Sequence, residues 1–430
     1  MIFTDTNAAN FQKEFDELLE RGKMDMAHVG KIVGTILEEI KMQKDEAIFA
    51  HISKFDKWTP RVGSDLKISS ESMQKAYDAL EPKLRNALHL AHERIRTYHE
   101  KQKPRSWFDD EANGTILGQR VTPVDCAGLY IPGGKAAYPS SLLMNVIPAQ
   151  VAGVKKIVVC TPTPENEPNE LLLAACHLCG VSEVYKVGGA SAIGAMAYGT
   201  QSIPKVDVIT GPGNIFVATA KKMVFGEVNI DMIAGPSEIG ILADESANAS
   251  HLAIDLLSQA EHDEMASSIL ITPSKSLAET VKIEIENWLV RLPRQEIARK
   301  SIEERGAIIV TKNMYEAIDL MNQIAPEHLE VATNSPFELL PLIKHAGAIF
   351  LGHFTPEAIG DYVAGPNHTL PTGGTAKFYS PLGVENFMKK TSIIAFSQKG
   401  IDEIGEACAL IAHTEGLHAH EESVRVRLSK

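Results

Sequence analysis

At 430 residues the chain is too long for one ordinary domain and suits two or three. Its 55 acidic and 42 basic side chains leave a formal charge of −13, which argues against a nucleic-acid partner, because such proteins concentrate basic charge on one face. Apolar residues make up 44% and charged ones 23%, a mix that supports a buried core, and no apolar run approaches the ~20 residues that cross a bilayer. The opening residues are polar and acidic, unlike a signal peptide, and five scattered cysteines do not form a disulfide framework. The expectation is a cytoplasmic protein with reduced thiols and no membrane partner.

The first hundred residues are helical in pattern. Phe11, Phe15, Leu18 and Leu19 recur at helical spacing, as do Val29, Ile32, Val33, Ile36, Leu37 and Ile40. A third amphipathic stretch runs over about 70–100, with Pro82 the expected break or kink. A region with so few strands predicts an N-terminal helical arm or outer layer over residues 1–117. From residue 118, short β-branched runs alternate with helical patterns: 156–160 then 169–180, 183–187 then 191–199, 206–210 then 214–225. Such alternation marks parallel βαβ units. A second series places strands at 238–243, 268–272, 307–311 and 348–351, with helices between them. The predicted class is α/β, with two Rossmann-like but incomplete parallel-sheet modules at 118–236 and 237–382. Gly235-Pro236 marks the joint, and a short helical tail spans 383–430.

Four glycine-rich turns stand out: Pro132-Gly133-Gly134-Lys135, Gly188-Gly189-Ala190, Gly211-Pro212-Gly213-Asn214 and Thr372-Gly373-Gly374-Thr375. Each alone reads as a tight turn that needs positive φ. None ends in the Gly-Lys-Ser/Thr of a P-loop, and Phe216 stands where the dinucleotide fingerprint has its third glycine. Several such turns at the carboxyl ends of parallel strands fit a ligand crevice, with helix-start N–H groups free for an anion.

Cys176 and Cys179 lack a second pair and have the spacing of a helix's buried face, which reads as core. A polar set is scattered instead over the second half. Gln259 and His262 lie three apart on a predicted helix; Glu327-His328 follow Pro326; then come Asp361, Asn367-His368, and finally Glu415, His418 and His420. Taken singly, each histidine is more simply a packed or surface residue, and spacing alone does not converge them. Together their N and O donors would suit Zn²⁺ with a position left open for substrate.

The stretch 128–142, with Met144-Asn145 and Ile147-Pro148-Ala149 after it, resembles the histidinol dehydrogenases. So do Thr210-Gly-Pro-Gly-Asn214, Ala234-Gly-Pro-Ser-Glu238, Ser258-Gln-Ala-Glu-His-Asp263 and Ala325-Pro-Glu-His-Leu-Glu330. Gly360-Asp-Tyr362, Gly365-Pro-Asn-His368, Leu370-Pro-Thr-Gly-Gly-Thr375 and Glu415-Gly-Leu417 with Ala419-His420 continue the match in order. The resemblance implies oxidation of L-histidinol to L-histidine through L-histidinal, the last step of histidine biosynthesis, with two NAD⁺ consumed per turnover. It implies one zinc ion per subunit, held by Gln259, His262, Asp361 and His420, and makes Glu327 and His328 the acid–base pair. Substrate contacts would fall to Ser237, Gln259, His262, His328, Asp361, Glu415 and His420, with His368 close by. NAD contacts would fall to Tyr130, position 191 and Asn214. An intertwined homodimer is also implied, its tail carrying Glu415 and His420 into the partner's site. One departure stands out: the family usually reads Gly-Gly-Ala-Gln where this chain has Gly188-Gly-Ala-Ser191. Serine is about two bonds shorter than glutamine, so an NAD contact from Ser191 is shorter in reach or runs through water.

Taking hydride from a primary alcohol requires removing the hydroxyl proton, a task for a neutral imidazole with a pKa of about 6.5, here His328. The aldehyde must then add water, which Glu327 can orient and deprotonate. Zinc in such a site would act as a template for the substrate. A zinc dehydrogenase of another small hydroxy compound, such as a sulfonated diol, fits Ser237 and Glu415-Gly-Leu417 less well. A zinc hydrolase using Glu327 on metal-bound water leaves the glycine loops unexplained.

Overall fold

The structure, a computed structural model, describes residues 1–21, 27–133 and 138–429. Two all-parallel sheets form its body, as the alternating pattern predicts. In the first, the strands lie in the order Glu183–Lys186, Lys156–Thr161, Cys126–Tyr130, Val208–Thr210 and Asn229–Ile230. Numbered within the module this is 3-2-1-4-5, the doubly wound order without its sixth strand. The second sheet runs Ile2–Asp5, Ala307–Val310, Ser267–Thr272, Glu238–Ala243, His328–Ala332 and Ala348–Leu351. It repeats 3-2-1-4-5, and the N-terminal strand is added in parallel at its outer edge.

The central strands are buried along their whole length, because helices cover both faces and neither face can afford polar residues. Ile239 and Ile241 pack with Leu252 and Leu256 on one side; Leu242 packs with Ile318 and Met321 on the other. The N-terminal helices are these covers. Phe11–Arg21 sets Phe11, Phe15 and Leu18 on the second sheet. Ala27–Gln43 and Asp45–Phe55 bring Leu37, Ile40, Ile48 and Ile52 to the first. Ser70–Asp78 and Pro82–Glu100 add Met73 and Ile95 to the opposite face of that module. Pro82 starts a helix at its first position, where no N–H is missed, rather than kinking one.

Three features differ from the sequence reading. Residues 2–5 form a strand, too short for periodicity to reveal and specified by pairing with Ala307–Val310. His328–Ala332 is a central strand whose inward Glu330 interrupts its apolar run. The tail begins with Met388–Ala395, which pairs antiparallel with Ile116–Pro123, itself paired with Trp107–Asp110. Only after that strand do the helices Gln398–Thr414 and His418–Arg425 follow. Among the described residues, no helix is long and apolar enough to cross a membrane.

One buried ion pair fixes the loop at the end of the first sheet. Lys221 and Asp231, both nearly inaccessible, contact each other and grip Gly211 from two sides. Lys221 Nζ donates to the Gly211 carbonyl at 2.9 Å, and Asp231 accepts the Gly211 N–H at 2.9 Å. Gly211 has φ +119°, and a Cβ there would lie 2.0 Å from the Tyr130 carbonyl oxygen, so only glycine fits. Replacing Lys221 by Met strands a buried carboxylate and is expected to cost about 3–5 kcal/mol in denaturant unfolding. The double variant Lys221→Met/Asp231→Asn, which keeps an acceptor for Gly211 without the charge, should lose less than the single one.

Candidate active site

Glu238 and His328 are the first residues of two adjacent parallel strands, with His328 in register beside Ile239. They therefore meet at the amino ends of the second sheet, opposite the edge where doubly wound folds usually hold ligands. The approach to His328 is sharply turned. Ala325 closes the helix Met314–Ile324 in the left-handed region at φ 52°, a strained conformation for alanine. Pro326 then prevents any further helix, and the chain enters the strand with Glu327 at its mouth.

Glu327 is buried. Its Oε2 accepts the Glu238 N–H at 3.0 Å, and the Ser237 side chain adds a second hydrogen bond. Burial pushes its pKa up to about 7, against the charge of His328 and those hydrogen bonds. His328 Nδ1 lies 3.2 Å from the Glu238 carbonyl oxygen. A carbonyl only accepts, so Nδ1 carries a proton, and in the neutral form of the ring Nε2 is the nitrogen that holds the free lone pair. Nε2 makes no hydrogen bond; its nearest anion is Asp361 Oδ1 at 3.5 Å. Burial opposes charge on this ring, but the carboxylates of Glu357, Glu327 and Asp361 outweigh it and raise the pKa.

Beside this pair, His262, Glu357 and Asp361 each offer a ligand atom, all within 4.8 Å of one another. Glu357 and Asp361 lie four apart on the helix Glu357–Tyr362, hence on one face. The helix Ala249–Ala260 ends one residue before Glu261, so His262 sits in the following turn, not on the helix as its spacing suggested. Its N–H still reaches the Gln259 carbonyl at 3.2 Å. Gln259 Oε1, Glu357 Oε2 and His368 Nε2 are buried without a hydrogen-bond partner. Unpaired buried polar atoms are costly, so such a set of N and O donors fits a divalent cation such as zinc. Burial lowers the pKa of His368, against the nearby Asp361, and keeps it a neutral donor.

The remaining predicted residues fall in two other places. Tyr130, Ser191 and Asn214 line one cavity of about 390 Å³ at the carboxyl ends of the first sheet. The Tyr130 hydroxyl accepts the Gly189 N–H at 3.2 Å, and burial pushes this phenol up to about 12. Asn214 caps the helix Ile215–Val224, its Oδ1 accepting the N–H groups of Phe216 and Val217. Ser191 is buried against His51. Glu415 and His420 do not join the cluster within this chain. They lie exposed on the C-terminal helical hairpin, beside a groove lined by Ile404, Ile411 and Leu417.

Of the glycine turns, Thr372-Gly373-Gly374-Thr375 serves the reactive centre: the Gly373 N–H donates to Glu238 Oε2 at 3.0 Å. Burial and the neighbouring Glu327 raise the Glu238 carboxyl to about 8. Gly134 and Lys135 lie outside the described residues. Cys176 and Cys179 are buried in the core, their thiols pushed up by burial. Sequence reasoning gave no role to Glu238, Glu357, His51 or Asp56. Only Glu357 left a readable trace, as a carboxylate four residues before Asp361 on one short helix.

The family model for histidinol dehydrogenase matches residues 19–428. The histidinol dehydrogenase of Sulfurimonas denitrificans is 80% identical over 430 residues, covering 100% of both chains. That of Wolinella succinogenes is 68% identical over 423 residues, 98% of each chain. A crystal structure of histidinol dehydrogenase from Elizabethkingia anophelis superposes with a TM-score of 0.93 at 37% identity, covering 99% of this chain and 98% of that one. The donor cluster makes a prediction that needs no turnover. Zn²⁺ added to metal-stripped protein at a hundredfold excess over its Kd should stabilise it by about 2.7 kcal/mol. His262→Ala should lose most of that gain, read as a rise in melting midpoint.

Proposed function

The chain belongs to the histidinol dehydrogenase family, and on that premise we propose that it oxidises L-histidinol to L-histidine through L-histidinal, using two NAD⁺ and one zinc ion per subunit. The observation that carries this reading is the Glu327–His328 pair, held in fixed orientation by one residue, Glu238, next to an unpaired donor cluster. Gln259, His262 and Asp361 would hold the zinc ion, with Glu357 positioned to join them. When bound, zinc supplies positive charge and coordination positions that orient the substrate.

His328 acts in the first oxidation. Its Nε2 lone pair takes the hydroxyl proton as hydride leaves the carbinol carbon, and the surrounding carboxylates favour the imidazolium that forms. The resulting aldehyde has no second hydride to give until water adds. Glu327, with a pKa near neutrality, is matched to deprotonating that water. Its hydrogen bonds to Glu238 and Ser237 engage the carboxylate form and fix its direction. Burial around both groups excludes bulk water, which supports retention of the aldehyde between steps. Ser237 and His368 would contact the substrate, and the cavity of Tyr130, Ser191 and Asn214 would take NAD. Free cysteines support a cytoplasmic setting.

A homodimer completes this reading. The hairpin Gln398–Thr414 and His418–Arg425 exposes Ile404, Leu410, Ile411 and Leu417, and the same hairpin carries Glu415 and His420. Docking that face on a second copy would bury it and deliver both side chains to the other subunit's site.

One assay tests the reaction. Two NADH should form per histidinol consumed, and none with a sulfonated diol. His328→Ala should slow the first oxidation by about 10²–10⁴-fold with metal content retained, whereas Glu327→Gln should spare alcohol oxidation more than oxidation of supplied histidinal. A second test addresses the dimer. His420→Ala and His262→Ala should each inactivate a homodimer, while a purified mixed dimer should recover up to about half of wild-type activity, since one site has both residues intact. No recovery, with normal NAD affinity, would place His420 in its own chain's site.

A further inference from the structure

The cavity at the first sheet has a donor–acceptor sense fixed by groups behind its wall. The Glu39 carboxylate can only accept, so His51 Nε2, 2.8 Å away, carries the proton. In a neutral imidazole Nδ1 is then an acceptor, and the Ser191 hydroxyl 3.0 Å from it must donate its hydrogen there. Ser191 is left with lone pairs alone to offer the cavity. A glutamine amide at that position would have offered both a donor and an acceptor.

Asp56 provides a second acceptor. Its carboxylate takes the backbone N–H of Thr163, and its charge is felt by the Tyr130 phenol, which locates it between two parts of the same wall. Among the described residues lining the cavity there is no lysine or arginine. Ile36, Ile52, Phe55 and Val187 make much of the remaining surface apolar, which suits a flat base. None of the lining residues belongs to the cluster around His328, so a dinucleotide reaching both places would put its non-reacting end here.

The two candidate ends differ in what they present. A free ribose diol brings two hydroxyl donors, which Ser191 and Asp56 can accept. A 2′-phosphate brings negative charge and lone pairs, which both of them repel, with no cation to compensate among the described lining residues. Resting on the cofactor reading above, we infer that Asp56, together with the Ser191–His51–Glu39 chain, makes this cavity selective for an unphosphorylated ribose and so for NAD⁺ over NADP⁺.

The test uses ADP-ribose and its 2′-phosphorylated counterpart as probes, titrated calorimetrically into the full-length protein without histidinol. The wild type should bind ADP-ribose at least ~10-fold more tightly than the phosphorylated form, the equivalent of one charge-assisted hydrogen bond. Asp56→Asn, which keeps the shape and removes the charge, should shrink that ratio by about 10-fold, and Asp56→Ser should move it the same way. The ratio of kcat/KM for NAD⁺ to that for NADP⁺ should fall in parallel, chiefly through KM. Ser191→Ala should weaken ADP-ribose more than its phosphorylated counterpart. If both Asp56 variants bind ADP-ribose with the wild-type ratio, the role given to Asp56 is wrong while the cofactor reading stands. If the wild type binds neither probe, both are wrong.

Discussion

A single backbone residue holds the reactive pair. The Glu238 N–H donates to Glu327 and its carbonyl accepts from His328, so one peptide segment sets the direction of the carboxylate and the tautomer of the imidazole together. This works only because Glu238–Ala243 and His328–Ala332 are neighbouring parallel strands in fixed register. A one-residue slip would turn His328 to the other face of the sheet. The rest of the second module, from its buried strands to its covering helices, keeps that register.

The two modules repeat one strand order but use opposite edges. The first presents Tyr130 and Asn214 at its carboxyl ends, as doubly wound folds do. The second gathers its chemistry at the amino ends of its strands. Both sites depend on buried charge that is compensated locally. In the first, Lys221 and Asp231 neutralise each other around Gly211. In the second, Glu238, Glu327 and Glu357 are pushed up by burial, to about 8, 7 and 8, and so sit within reach of neutrality. Carboxyls tuned in that way are suited to proton transfer and are poor sources of stability.

Much of the architecture was legible. Glu238–Ala243 and Ala348–Leu351 fall where β-branched runs predicted them: the first is buried on both faces and reads as an apolar segment, and the second, at the sheet edge, is an unbroken apolar run although only Phe350 is buried. His328–Ala332 escaped notice because Glu330 is turned inward, where it accepts the Glu357 N–H at 2.7 Å. Ile2–Asp5 and Met388–Ala395 escaped because each is a strand only by virtue of its partner. The role of Glu357 was hidden for a similar reason: a carboxylate four residues before another on a helix is ordinarily a solvated surface pair.

The sequence by itself determined most of the element types, the two-module α/β class and the family, since local periodicity and ordered motifs are properties of the chain in one dimension. It also supplied the residue types that the chemistry requires. Only the tertiary structure decided which of them meet. His328 and Glu238 are 90 residues apart along the chain and touch because three crossover connections return their strands to adjacent positions. His51 and Ser191, 140 residues apart, form one hydrogen-bonded chain because a covering helix lays the first against the start of the helix Gly189–Tyr198. Spacing in sequence carries no information about such contacts: packing of buried faces sets them, and that depends on all the elements at once.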